Sequence, residues 1–245
     1  MDATSIPIEL TDLTPAWLSD ALEADVSSVT VLDAHSGTTG RARLALTGEP
    51  SLPSTVFVKL APFDAAQRRF VNEVGMGVSE ARFFRDLSGE IGLRVPRPIF
   101  ADFETATESG ADQYVMVLED LEAAGCRFPT PEDTDIEFRA RNIVEELARF
   151  HARYWSSPRF APGGDLAWLA PRGTARGDGG AMFVQMAVNG YTDRLPDGFR
   201  TLADLYLARS VDVVALYREG RATLVHGDAH LGNLFVDGER TGFLD

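Results

Sequence analysis

The 245-residue sequence contains one cysteine, Cys126, four histidines and no apolar run that approaches the length of a membrane span. A single cysteine excludes an intrachain disulfide and suits the cytoplasm, where thiols stay reduced. The first 18 residues include acidic side chains and lack a basic start followed by an apolar stretch, so no secretory signal is expected. We therefore expect a cytoplasmic protein that has no membrane partner.

Basic side chains are also scarce, with 23 Lys and Arg against 37 Asp and Glu and a formal net charge of −14. Such a chain repels a phosphate backbone on average, so nucleic acid is not an expected partner. The same charge would attract a cationic small molecule, although solubility alone is the simpler explanation of it. Nothing in the sequence indicates an oligomeric state.

The first half of the chain has the pattern of a small antiparallel sheet with one helical segment. A short helix begins near Pro15, with Thr14 as its cap. Strands are predicted at residues 29–34, 41–47, 55–60, 98–103 and 113–118, and a helical segment is predicted at 64–87. A doubly wound parallel sheet would need a helix after each strand and is excluded.

The second half has a helical pattern. A long amphipathic helix is predicted to end near Trp155, followed by a Pro- and Gly-rich loop at 156–180 and helices at 181–189 and 202–219. The change in composition falls within residues 119–125. The expected fold class is therefore α+β with two lobes, a sheet-containing lobe at residues 1–120 and a mainly helical lobe at 121–245.

The strongest motif lies near the end of the chain, where residues 226–233 read His-Gly-Asp-Ala-His-Leu-Gly-Asn. Asp228 and Asn233 are five positions apart, which is the spacing of the catalytic aspartate and the magnesium-binding asparagine in protein-kinase catalytic loops. A hairpin through Asp237 and Gly238 would return the chain and place Asp245 beside them. Asp, Asn and Gly are common in turns, which explains any one of these residues but not the presence of all of them in this order.

The His-Gly-Asp-x-His motif with Asn233 and a downstream Phe-Leu-Asp resembles the signature of the aminoglycoside phosphotransferase and ecdysteroid-kinase-like family. The resemblance implies a bilobal protein-kinase-like fold that uses ATP and Mg²⁺ to phosphorylate a hydroxyl of a small molecule, an antibiotic or a metabolite. It also implies Asp228 as the catalytic base and Asn233 and Asp245 as metal ligands. His226 and His230 would shape the loop through hydrogen bonds.

Lys59 lies in the third predicted strand, with Phe57 on the same face. It has the position of the lysine that holds the α- and β-phosphates in kinases. Its partner should be a glutamate of the following helix, and Glu73 and Glu80 are the two candidates. Glu80 is the predicted partner because the glutamate-then-aromatic pattern around it is similar to that of the family.

Two further segments are predicted to contact the nucleotide. The turn after the first strand could cover the phosphates with backbone N–H groups and hydroxyls, although a plain hairpin turn would look the same; its residues are Ser36, Gly37, Thr38, Thr39 and Gly40. Resemblance to the family's inter-lobe strand implies that backbone groups around Glu119 and Leu121 bind adenine. An edge strand followed by an acidic turn is the alternative there.

The sequence departs from the family pattern at its end, because family members continue beyond the position of Asp245. We therefore expect a fragment of a longer protein, and an inactive fragment or a nucleotide-binding pseudoenzyme is an alternative to an active kinase. A metal-dependent phosphoesterase is less favoured, since that chemistry needs more His and Asp ligands than the chain supplies. No pattern in the sequence identifies the small molecule that would accept the phosphate.

Overall fold

The computed structural model describes residues 5–74, 77–105, 112–169, 175–191 and 194–244. The fold is mixed α+β, as predicted. The strands are β1 Val26–Ser36, β2 Gly40–Gly48, β3 Thr55–Leu60, β4 Pro98–Glu104, β5 Gln113–Glu119, β6 Leu234–Asp237 and β7 Arg240–Phe243. The helices are α1 Pro15–Leu22, α2 Ala65–Val74, α3 Val78–Asp86, α4 Ile136–Tyr154, α5 Ala175–Gly190 and α6 Asp197–Glu219.

Five strands form an antiparallel sheet in the order β1-β2-β3-β5-β4. Because side chains alternate along a strand, the central strands bury one row of apolar residues, among them Leu44, Val58 and Val117. Helix α1 packs on this row through Trp17 and Leu18, and its N-cap Thr14 accepts a hydrogen bond from the Trp17 N–H. The opposite face of β2 and β3 is left for polar side chains.

The polypeptide between β3 and β4 forms two helices rather than the single helical segment predicted at 64–87. Helix α2 ends at Val74, and α3 begins at Val78 after Gly77, whose φ is +90°. An added Cβ at Gly77 would lie 2.2 Å from the Tyr114 ring of β5. The break thus lets α3 pack closely on the sheet, with Ala81 and Phe84 buried beside Tyr114.

The chain divides into two compact units, Met1–Phe150 with His226–Asp245, and His151–Val225. This division differs from the lobes 1–120 and 121–245, which remain a prediction. In the second unit α5 packs against α6, and Gly180 lies so close to the Tyr206 hydroxyl that an added Cβ would be 2.3 Å from it. Helix α5 begins at Ala175, so the prediction of a loop up to residue 180 is wrong; glycine here permits close helix packing.

Helix α6 begins at Asp197, before the predicted start at residue 202, and Arg209 has non-helical backbone angles within it. Helix α4 agrees with the long helix expected after the Pro-containing segment. No helix within the described ranges is both long and apolar enough to cross a bilayer.

We expect Gly77→Ala to lower the free energy of unfolding by about 2 kcal/mol or more, because the new methyl group meets a buried ring and the backbone needs a positive φ. Gly89→Ala is the matched control, since a Cβ there has no neighbour within 4 Å. Its effect should stay within about 0.5 kcal/mol. Urea unfolding followed by circular dichroism measures both, and equal stabilities would contradict the packing described.

Candidate active site

Lys59 and Glu80 form an ion pair on the polar face of the sheet. The Lys59 Nζ lies 2.5 Å from the Glu80 Oε1, and Lys59 is only 4% exposed. Lys59 comes from β3 and Glu80 from the first turn of α3, so the helix break at Gly77 sets the position of the carboxylate. The structure therefore brings together the predicted lysine and the predicted glutamate; the side chain of Glu73 lies outside the described part.

The pair opens into a cleft that also contains several other predicted residues. Phe57 and Phe84 provide apolar walls, and the segment after β5, including Glu119 and Leu121, lies along one side. Asn233 reaches the same cleft from the end of the chain. The remaining lining residues are Arg41, Arg43, Pro96, Leu118, Asp120, Glu122, Phe128, Gly232 and Leu244.

The turn predicted to cover phosphates is tighter than expected, because β1 continues to Ser36 and β2 begins at Gly40. The Ser36 hydroxyl accepts a hydrogen bond from the Phe63 N–H at 3.1 Å, and the Gly37 N–H donates to the Thr39 carbonyl at 3.0 Å. Within the described residues, none of the turn from Ser36 to Gly40 lines the cleft. Phosphate binding by Ser36, Gly37, Thr38, Thr39 and Gly40 stays a prediction.

The loop at residues 226–233 holds Asp228 and Asn233 in direct contact. The Asn233 Nδ2 donates to the Asp228 Oδ2 at 3.2 Å and to the Asp228 carbonyl at 3.1 Å. Asp228 has a side chain that is 73% exposed, so a solute can approach the carboxylate. The predicted base, Asp228, is therefore hydrogen-bonded to the predicted metal ligand Asn233, and its carboxylate is accessible from solvent.

Both histidines of the motif hydrogen-bond to the loop backbone. The His226 Nδ1 accepts from the Asp228 N–H at 3.3 Å, and the His230 Nδ1 accepts from the Gly232 N–H at 3.0 Å. Each ring therefore carries its proton on Nε2 when neutral. The His226 ring also packs against Phe243, with ring centroids 5.6 Å apart. The histidines thus shape the loop, in the way that the family resemblance implies.

A two-stranded hairpin, β6–β7, follows the loop and has the predicted turn through Asp237 and Gly238. Gly242 lies under the Phe235 ring, and an added Cβ would be 2.2 Å from it. The hairpin returns the chain to the loop, where the Leu244 N–H donates to the Asn233 carbonyl at 2.9 Å. Asp245, the second predicted metal ligand, lies outside the described residues.

Arg94, which sequence reasoning missed, connects the segment after β5 to this hairpin. Its Nη1 donates to the Glu119 Oε1 at 2.6 Å, and its Nε donates to the Asp237 Oδ2 at 2.7 Å. The Arg94 carbonyl accepts from the Phe243 N–H at 2.8 Å. Burial alone would lower the pKa of Arg94, but its hydrogen bonds to Asp237 and Glu119 outweigh this and raise the pKa above its ordinary value.

A second arginine, Arg43, connects β2 to the same segment. Its Nη2 donates to the Asp120 Oδ2 at 2.9 Å, and its Nη1 donates to the Glu122 Oε2 at 2.6 Å. Burial would raise the pKa of Asp120, but its interactions with the Thr55 side chain, with Arg43 and with the Ala123 N–H outweigh this and hold the pKa below its ordinary value. The two arginines therefore hold the acidic stretch that begins at Glu119 from two sides.

The sequence profile of the phosphotransferase enzyme family matches residues 31–245. This chain belongs to that family. The match begins within β1 and includes the other strands of the sheet, the cleft and the 226–233 loop of this phosphotransferase, and it confirms the resemblance found in the motif. No curated protein and no solved structure shows a significant match.

The donor groups of this phosphotransferase decide whether it could hold a metal ion. Within the described ranges, no group of three or more His, Cys, Asp or Glu side chains is arranged to hold an ion. Of the two predicted metal ligands, Asn233 lies in the described part, where it lines the cleft and has a side-chain amide oxygen. Oxygen ligands of this kind are the ones that Mg²⁺ prefers, and Mg²⁺ commonly uses few protein ligands. The amide oxygen of Asn233 is therefore of a type that fits Mg²⁺.

We expect Arg94→Met to lower the free energy of unfolding by about 3 kcal/mol, because it leaves the carboxylates of Glu119 and Asp237 without their cation. Arg149→Met is the control, since Arg149 is 66% exposed and pairs only with residues of its own helix among the described contacts. That change should cost less than about 1 kcal/mol. Urea unfolding measures both, and a loss at Arg94 no larger than at Arg149 would contradict the connecting role.

Asp120 should contribute stability that depends on pH. Because its folded-state pKa is depressed, the contribution is fully present above the unfolded-state pKa of about 3.9 and is lost as pH falls through the lower folded-state value. The advantage of the wild type over Asp120→Asn should therefore be constant near neutral pH and shrink below about pH 4. Urea unfolding at a series of pH values measures it; a difference that is independent of pH down to acid unfolding would contradict the depressed pKa.

Proposed function

We propose that this phosphotransferase moves the γ-phosphate of ATP to a hydroxyl group of a small molecule. The observation that carries the proposal is the common cleft: Lys59, Glu80 and Asn233 line it, and Asp228 bonds directly to Asn233. A lysine–glutamate pair for the phosphates and an Asp–Asn loop for transfer are the parts that kinase chemistry requires. The family match supports the reaction class.

Adenine would pack against the apolar part of the cleft, where Phe57 and Leu118 are neighbours on one face of the sheet. In the segment beside it, the Leu121 carbonyl already accepts from the Cys126 N–H, and the Glu119 N–H already donates to the Arg97 carbonyl. The Glu119 carbonyl and the Leu121 N–H are the groups that we assign to the base. An acceptor and a donor at this spacing complement the amino group and the ring nitrogen of adenine.

Lys59 would bind the α- and β-phosphates. The Glu80 carboxylate holds its ammonium group on the cleft side of β3, and the burial of both limits their freedom. A positioned cation in a site with little water interacts more strongly with phosphate than a solvated one does. The ion pair would therefore hold the Lys59 ammonium group in position before the nucleotide binds. The site would then need less rearrangement when the nucleotide binds.

Asp228 would orient the acceptor hydroxyl and take its proton. As the new bond forms between the acceptor oxygen and the γ-phosphorus, the bond from that phosphorus to the β,γ-bridging oxygen breaks and ADP leaves. The Asn233 amide holds the Oδ2 of Asp228, which leaves Oδ1 for the incoming hydroxyl. Asn233 and the Asp245 predicted from the sequence would hold Mg²⁺, which would neutralise phosphate charge when bound.

The acceptor is a small hydroxylated molecule, and a cationic one would suit the net charge of −14. A panel of hydroxylated metabolites and antibiotics, assayed for ADP release with Mg²⁺ and ATP, would identify it. ATP binding without turnover on any acceptor would favour a nucleotide-binding pseudoenzyme instead. Phosphate release from an ester without ATP would favour a phosphoesterase.

Asp228→Asn should keep Mg-ATP affinity within about twofold and lower kcat by about 10²–10⁴-fold, because the amide cannot take the proton. Asp20→Asn makes the same chemical change at an exposed position of α1 and should leave kcat unchanged. Titration calorimetry gives the affinity and coupled ADP detection gives kcat. Near-normal turnover in Asp228→Asn would refute the assignment of the base.

A further inference from the structure

The two histidines of the 226–233 loop differ in where their second ring nitrogen lies. In both rings Nδ1 accepts a backbone N–H, so the proton of the neutral ring is on Nε2. The His226 Nε2 is buried and has no hydrogen-bond partner among the described residues. The His230 Nε2 lies 3.7 Å from the Asp228 Oδ2, and both side chains are exposed to solvent. Of the two histidines, His230 therefore has its N–H donor near the carboxylate that we assign as the base.

The loop holds the His230 ring in one position. Its Nδ1 accepts from the Gly232 N–H at 3.0 Å, which caps the short helical turn at 231–233. The ring packs against Gly232, where an added Cβ would be 2.8 Å from the ring Cε1. The His230 N–H donates to the Asp228 carbonyl at 2.8 Å, and the Asn233 N–H donates to the His230 carbonyl at 2.9 Å. Exposed polar pairs usually contribute little because both side chains must be ordered, but here the ring is already ordered.

Two N–H donors lie near the same oxygen of the Asp228 carboxylate. The Asn233 Nδ2 donates to Oδ2 at 3.2 Å, and the His230 Nε2 is the second group beside this atom. At 3.7 Å the histidine contact is longer than a hydrogen bond, and a movement of less than about 1 Å would complete it. Hydrogen bonds of catalytic groups are often long in the free enzyme and shorten in the reacting complex. The geometry therefore prepares a second bond to Oδ2.

We propose that His230 is a positioning residue for phosphoryl transfer, and that its Nε2–H donates to the Asp228 Oδ2 in the reacting complex. This inference rests on the proposed function, since it assigns the residue that orients the base of that reaction. With both Asn233 and His230 bonded to Oδ2, the carboxylate has one orientation, and Oδ1 is the oxygen that takes the hydroxyl proton. His230 keeps its own proton and acts through Asp228 alone. A base held in this way is aligned with the acceptor before transfer begins.

Two substitutions separate this role from the cap of the turn. In His230→Asn the side-chain oxygen has the place of Nδ1 and can cap the turn, but no group has the place of Nε2. In His230→Gln the amide nitrogen has the place of Nε2, but no group has the place of Nδ1. His230→Asn should lower kcat by about tenfold and keep the Mg-ATP affinity within about twofold, because the lost bond orients the base and not the nucleotide. His230→Gln should keep kcat within about threefold of the wild type, although its Tm should be lower because the cap is lost.

Coupled ADP detection with Mg-ATP gives kcat, with water as the acceptor hydroxyl and with any acceptor found in the panel of metabolites and antibiotics. Titration calorimetry gives the Mg-ATP affinity, and thermal unfolding gives Tm. A normal kcat in His230→Asn would overturn this inference alone, because the cap would then be the whole role of the residue. A loss of kcat in His230→Gln as large as that in His230→Asn would also overturn it and leave the proposed function intact. A wild type that transfers phosphate to neither water nor any acceptor would overturn the proposed function and this inference with it.

Discussion

The two bonds that Arg94 makes with Glu119 and Asp237 are the constraint on which the geometry of the cleft depends. Arg94 and Glu119 have side chains that are only 15% and 14% exposed, so neither charge is well solvated without the other. Apolar burial supplies most of the stability of the sheet, but it is not directional. The ion pairs are directional, and removing one partner is costly. They therefore determine where the segment after β5 lies relative to the hairpin that carries Leu244 back to Asn233.

The two faces of the central strands differ in the same way: one is stabilised by apolar packing and the other by directional ion pairs. One face of β2 and β3 is apolar and packs on α1, while the other carries Arg41, Arg43, Phe57 and Lys59. Burying these cations costs solvation free energy, and the cost is offset only where a carboxylate lies within hydrogen-bond distance. Glu80 supplies this for Lys59, and Asp120 with Glu122 supplies it for Arg43.

Local patterns in the sequence were enough to predict much of this arrangement. The β-branched and aromatic residues of β3 predict its bounds, Thr55–Leu60. The five-residue spacing of Asp228 and Asn233 predicts that these two side chains lie close together. The turn chemistry of Asp237 and Gly238 gives the hairpin. Each of these signals comes from residues that are close together along the chain.

Features that depend on residues far apart along the chain were not predicted, because no local pattern connects such residues. Arg94 is 25 positions from Glu119 and 143 positions from Asp237, and no spacing rule connects them. The break at Gly77 depends on the Tyr114 ring of β5, and the helical start of α5 before Gly180 depends on its packing with α6. Glycine is ambiguous in a sequence, since it marks a loop in one context and a close approach of two elements in another.

The contrast in exposure between Lys59 and Asp228 has a consequence for specificity. Lys59 is 4% exposed and paired, whereas the side chain of Asp228 is 73% exposed and held on one side by Asn233. A buried, paired cation tolerates little change in its ligand, because any misplaced charge is poorly solvated. An exposed carboxylate only needs a hydroxyl at hydrogen-bond distance, whatever molecule carries it. For the reaction that we propose, the Lys59 side of the cleft is thus the constrained one, and recognition of the acceptor would come from residues beyond the Asp228–Asn233 pair.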